Sequence, residues 1–140
     1  MKGCVFCDRA RMESSGIVYE DKLCFVIVTD YPASRGHLLV ISKSHHKDLL
    51  STDDKTLDCC FEAAKKLARR IRKLLKPTGI KMIVNMDGEE EIAHTHIHLI
   101  PVYNGREPKL NISYKERRKI TEKVRKELLT KLTYPGRQRS

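Results

Sequence analysis

Three histidines alternate with other residues in His94-Thr95-His96-Ile97-His98. On an extended strand side chains alternate between faces, so the three imidazoles share one face and Thr95, Ile97 and Leu99 the other. With only 6 histidines in 140 residues, such a regular row points to something polar lying over it, a metal or a phosphate. Two chemistries fit. Imidazoles can hold a hydrolytic zinc ion with an open position for water. Alternatively, one neutral imidazole attacks phosphorus while its neighbours bind the phosphate oxygens and supply protons.

A second group of candidates is the pair Cys4 and Cys7 in Cys4-Val5-Phe6-Cys7. A segment so close to the start of a chain frays unless something pins it, and zinc could do so given two further ligands. The five cysteines are an odd number, and the opening MKGCVFCDRA lacks the apolar stretch of a signal peptide, so a disulfide framework is not expected. Cys24, Cys59 and Cys60 lie within apolar patterns and read as small buried hydrophobes.

The elements that must carry these residues follow from periodicity. Residues 17–20 and 23–29 are β-branched and aromatic runs around Glu20-Asp21-Lys22, the spacing of a hairpin. Residues 37–42 form a third strand after a turn-rich connector, and 80–86 and 94–102 form the fourth and fifth around an acidic loop. Ser51 and Asp54 give the start signal of a helix whose apolar residues, from Leu57 to Leu75, keep i, i+3/i+4 spacing until Pro77 and Gly79. Ser113 and Glu116 give the same signal for a second helix, about 114–132, with Ile120, Val124, Leu128 and Leu132 on one face. The expectation is an α+β fold: an antiparallel sheet of about five strands with two main helices. One domain over 1–133 is expected, followed by a basic, disordered tail over 134–140.

Apolar residues make up 40% and charged residues 33% of the chain, excluding disordered and fibrous classes. No run is long or apolar enough for a membrane span, so a cytoplasmic protein without membrane contact is expected. The net charge of +10 is uneven: residues 104–140 hold 12 basic and 4 acidic side chains. This reads as a solvated basic helix and tail in preference to a nucleic-acid surface, because only Tyr114 and Tyr134 could interleave with it.

The sequence resembles the zinc-containing branch of the histidine-triad family. The resemblance rests on the row from His94 to Ile100, which departs from the family pattern only at Thr95. It is joined by Cys4-Val5-Phe6-Cys7, Val18-Tyr19-Glu20-Asp21, the run from Gly36-His37 to Lys43-Ser44-His45, Val84-Asn85 and Ile100-Pro101. It implies a nucleotide hydrolase or nucleotidyl transferase acting at the α-phosphate of nucleoside phosphoramidates or dinucleoside polyphosphates, with adenine the expected base, in a homodimer. By the same resemblance His96 is the nucleophile, His98 contacts the phosphate, His37 pairs with His98, and the Asn85 amide is a further phosphate donor. Cys4, Cys7, His45 and His94 hold a structural zinc, with His46 the rival of His45. Glu90 stands where the family has a glutamine facing the leaving group, and Thr29, or Asp30 beside it, where the family has a ribose-binding residue. A non-catalytic nucleotide- or RNA-binding module with a structural zinc is the alternative.

Overall fold

The computed structural model describes residues 3–11, 16–87, 92–108, 110 and 114–135. Within them the chain runs α1 (Val5–Arg11), β1 (Ile17–Glu20), β2 (Cys24–Val28), β3 (Leu38–Ser42), α2 (Asp54–Leu75), β4 (Gly79–Ile83), β5 (His96–Val102) and α3 (Glu122–Leu132). Short 3-10 turns occupy Leu49–Ser51 and Tyr114–Glu116. The five strands form one antiparallel sheet in the order β1-β2-β3-β5-β4. The expected α+β architecture is thus observed, with one more helix than the periodicity shows.

Alternation sorts the strands onto two layers. Val26, Val40, Ile97 and Leu99 face α2 and α3, packing with Cys60, Ala63, Ala64, Leu67, Ile71, Leu128 and Leu132. Phe25, Ile27, Leu39 and Ile41 face the other way and pack with Phe6 of α1. Opposite them on β5 stand His96 and His98, which pair in register with Ile41 and Leu39.

Several boundaries differ from expectation. The Cys4–Cys7 segment opens a helix, too short for hydrophobic periodicity to reveal. The α2 helix is capped by Asp53, whose carboxylate accepts from the Thr56 amide; Ser51 instead closes a reciprocal capping box with Asp48. Thr121, not Ser113, caps the last helix by accepting from the Val124 amide, and Ser113 lies outside the described residues. β5 starts at His96, so His94 precedes the strand.

Asp30 ties α3 to the end of β2. Its carboxylate meets the buried guanidinium of Arg125, with Arg9 at 3.9 Å, and its carbonyl accepts from the Ile120 amide at 2.7 Å. Replacing Asp30 by alanine should cost about 2 kcal/mol, the worth of a hydrogen bond to a charged group, measured as a shift of the urea midpoint. An unchanged midpoint would show that the ion pair is not a structural tie.

Candidate active site and metal centre

Gly36 sets up the first catalytic candidate. Its φ is +89°, and a Cβ there would come within 2.4 Å of a Leu75 methyl and 3.3 Å of the Pro101 ring, so only glycine fits. The next residue, His37, is almost wholly buried. Its Nδ1 accepts from the Ala33 amide at 2.9 Å, and its Nε2 lies 3.0 Å from Nδ1 of His98.

These contacts fix two protons. An amide only donates, so Nδ1 of neutral His37 bears no hydrogen and Nε2 does. That hydrogen is donated to Nδ1 of His98, and the remaining hydrogen of His98 sits on Nε2 as a donor. Burial pushes His37 well below the ordinary imidazole range, with His98, Arg117 and His96 adding to the effect. His98 is lowered to about 3, by burial first and then by His96 and Arg117. Both rings are therefore neutral near pH 7.

This has a consequence for stability. The unfolded chain takes up protons near pH 6.5 while the folded one does not, so stability should fall as pH drops from about 6.5 toward the folded value. Each such histidine contributes a limiting slope of about 1.4 kcal/mol per pH unit. Urea midpoints at pH 7 and pH 5 check this: His98→Gln should show a shallower loss than wild type, and equal slopes would refute neutral burial.

The ring of His96 is placed from two sides. Its Nδ1 lies 2.6 Å from the carbonyl oxygen of His94, so Nδ1 donates there and Nε2 carries the lone pair. Phe6 packs edge-on against it at 5.0 Å between centroids, and His98 stands at 5.0 Å on the same face. Together, His96 offers a nucleophilic nitrogen and His98 a neutral N–H donor, side by side.

The metal candidates converge next to this pair. The two thiols of Cys4 and Cys7 and the Nδ1 atoms of His45 and His94 all lie within 4.8 Å of one another. Separations of 3.2 Å between His45 and His94, 3.3 Å between Cys7 and His45 and 3.4 Å from either cysteine to His94 approach the edges, about 3.3–3.8 Å, of a tetrahedron with ordinary zinc–ligand bonds. Cys4 and Cys7 reach the same point because three residues along a helix bring side chains to one side. His94 donates through Nε2 to the Ser42 carbonyl at 2.6 Å, leaving Nδ1 unprotonated for a ligand. Burial lowers His94 to about 4, against the Ser42 carbonyl, with His45 and His96 adding to the lowering. A set of two cysteine sulfurs and two imidazole nitrogens suits a metal such as zinc. His46 turns away to Asp53, at 3.6 Å.

The remaining expected residues are dispersed. Asn85 lies half-buried beyond β4; continuing that strand's register past Ile83–His98 would set it opposite His96. Thr29 is buried on the His37 face, and its hydroxyl accepts from the Tyr31 amide. Asp30, a candidate for ribose recognition, is directed instead to Arg125 and Arg9, since the next residue of an extended strand points to the opposite face. Glu90 lies outside the described residues. Of the basic residues near the connector, Lys43 pairs with Glu20 at 2.9 Å and Arg35 with Glu127 at 3.3 Å.

Sequence reasoning missed Phe6, which reaches both His94 and His96. It also missed Arg117, whose guanidinium donates to the Tyr31 carbonyl at 3.5 Å and whose charge is felt at His37 and His98. No spacing signal marks either. Thr95 is explained by a polar partner: its hydroxyl lies 2.6 Å from that of Thr52, both buried.

Solved structures with this sheet define the class as histidine triad proteins. A hypothetical histidine triad nucleotide-binding protein of Sulfolobus tokodaii superposes with a TM-score of 0.80 at 31% identity, over 93% of this chain and 89% of the other. A zinc-bound histidine triad family protein of Mycobacterium smegmatis does so with a TM-score of 0.76 at 29% identity, over 93% of both chains. The HIT domain model matches residues 11–105, and the chain belongs to the HIT family, whose members in general bind nucleotides and include nucleotide hydrolases and transferases. Adenylylsulfatase HINT3 of Arabidopsis thaliana is 34% identical over 70% of this chain, which spans about half, 51%, of that protein. Among the described residues, no helix is long and apolar enough to cross a membrane.

Proposed function

We propose that the protein hydrolyses nucleoside phosphoramidates or dinucleoside polyphosphates at the α-phosphate, through a nucleotide carried on His96. The observation that carries this reading is the complementary proton arrangement of the two facing rings: a lone pair on His96 Nε2 beside a hydrogen on His98 Nε2. In the first step Nε2 of His96 bonds to the α-phosphorus and the bond to the leaving group breaks. As that group departs, the nitrogen or oxygen it carries away takes a proton from solvent. In the second, water attacks phosphorus and gives up a proton to solvent, and the phosphorus–nitrogen bond to His96 breaks, returning the lone pair. Dividing the displacement this way replaces one difficult step by two easier ones.

His98 donates to a non-bridging phosphate oxygen, held in place by His37, and the Asn85 amide donates to another. Thr29 lies on the face where the sugar would rest; Glu90, outside the described residues, has its leaving-group role from the family resemblance alone. Cys4, Cys7, His45 and His94 would hold a zinc ion, which supplies a structural clasp: all four positions are filled by protein, with none open for water. A homodimer within the cytoplasm and one folded unit over residues 1–133 complete the reading.

Incubation with adenosine phosphoramidate and with diadenosine tetraphosphate, followed by chromatography, tests it. Release of adenosine monophosphate is expected. Binding of either compound without release would favour the non-catalytic nucleotide-binding alternative.

A further inference from the structure

The C-terminal half of α2 carries a feature unconnected with the histidines. From Ala63 to Lys76 there are seven basic residues and no acidic one. Two of the seven are engaged: Arg70 donates to the carbonyls of Leu132 and Lys131 at 3.1 and 3.0 Å, and Lys66 stands 5.4 Å from the Tyr19 ring centre. The other five, Lys65, Arg69, Arg72, Lys73 and Lys76, are exposed. Among the described residues none of them makes an ion pair.

Their spacing puts them in one column. Lys65, Arg69 and Arg72 follow i, i+4, i+7 along α2 with Lys73 flanking them, and Lys76, the left-handed C-cap just past Leu75, continues the basic run, about 16 Å in all at the helical rise. The column lies opposite the buried face of Ala64, Leu67 and Ile71. Neighbouring like charges at these spacings repel one another. The helix dipole favours cations only in the last turn, which accounts for Arg72 and Lys73 but not for Lys65 and Arg69. Acidic residues of the same helix, Asp54, Asp58 and Glu62, all precede the column.

We propose that this column binds the phosphodiester backbone of a double-stranded nucleic acid without reading its sequence. Charge complementarity selects the occupant: a duplex presents about one negative charge per 1.7 Å of axis, matching a linear row of cations. Single-strand binding needs successive aromatic platforms, and here one ring, Phe61, precedes the column. A membrane-bound helix needs an outward apolar face, whereas that of α2 is spent on the sheet. Because α2 covers the sheet face opposite His96 and His98, duplex and mononucleotide occupy separate places. The inference is independent of catalysis.

Fluorescence anisotropy with a labelled 20-base-pair DNA, between 50 and 200 mM salt, is the test. Five contacts should give a log–log salt slope of about −4.5. Replacing Lys65, Arg69, Arg72 and Lys76 by glutamine should flatten that slope by about 3 or more and weaken binding at least 30-fold at 100 mM salt, with the melting temperature unchanged or raised. The matched replacement of Lys119, Lys123, Lys126 and Lys131 should cost less than 5-fold. Equal losses from both sets would overturn the proposal in favour of overall charge. So would a wild-type dissociation constant above 1 mM at 50 mM salt, tighter binding to phosphatidylserine vesicles than to the duplex, or displacement of the duplex by adenosine monophosphate.

Discussion

His96→Asn should abolish turnover of adenosine phosphoramidate, lowering kcat/KM by at least about 10⁴-fold, while leaving the melting temperature within a few degrees of wild type. The size follows from the role. Removing a covalent nucleophile forfeits the two-step route altogether, and what survives is the acceleration from binding and electrostatics. Asparagine keeps a side-chain N–H able to reach the His94 carbonyl, 2.6 Å from Nδ1 in the native protein, so local packing against Phe6 is little disturbed. The discriminating measurement is intact-protein mass after mixing with substrate and rapid acid-free quenching. Wild type should gain the mass of one adenylyl group, and the variant none. Undiminished turnover by the variant would eliminate His96 as nucleophile and revive the metal-activated water considered for the same row of histidines.

Cys7→Ser should have the second largest effect, on metal content and stability together. Its thiol lies 3.3 and 3.4 Å from the Nδ1 atoms of His45 and His94 and is buried, so serine removes a strong ligand from the middle of the cluster. A metal present at a thousandfold its dissociation constant adds about 4 kcal/mol to folding stability. Its loss should lower the melting temperature by roughly 10 °C in a chain of this length. Elemental analysis and calorimetry measure both quantities. Chelated wild type should regain its melting temperature when zinc is returned, and Cys7→Ser should not. Metal-free wild type that melts at the same temperature as zinc-loaded protein would refute the clasp.

The strands and α2 were legible because each repeats a period over enough residues: Val26, Val40 and Ile97 alternate to the helix face, and Ala64, Leu67 and Ile71 recur on one side of α2. Capping was legible in residue type but not in position. Ser51, Asp53 and Asp54 all look like caps, and only tertiary contacts decide that Asp53 serves α2 while Ser51 answers Asp48. The row His94, His96 and His98 showed that imidazoles gather, yet not that the first leaves the strand to face Cys4 and Cys7 while the other two remain on it. Asp30 shows the limit of adjacency. It lies one residue from Thr29, and the pleat sends it to Arg125. Phe6 and Arg117 were invisible because contacts across roughly ninety and eighty positions of chain leave no local pattern.

The orientation of the imidazoles depends on atoms that every residue type possesses. His37 is set by the amide of Ala33, His94 by the carbonyl of Ser42, and His96 by the carbonyl of His94. Side-chain replacement at positions 33 or 42 leaves these groups in place; only proline at 33 deletes one of them. The tautomers of His37, His94 and His96 are thereby buffered against mutation of the residues that set them, while that of His98 rests on the His37 ring. Descendants of this chain can exchange the side chains at positions 33 and 42 while inheriting the same arrangement of protons.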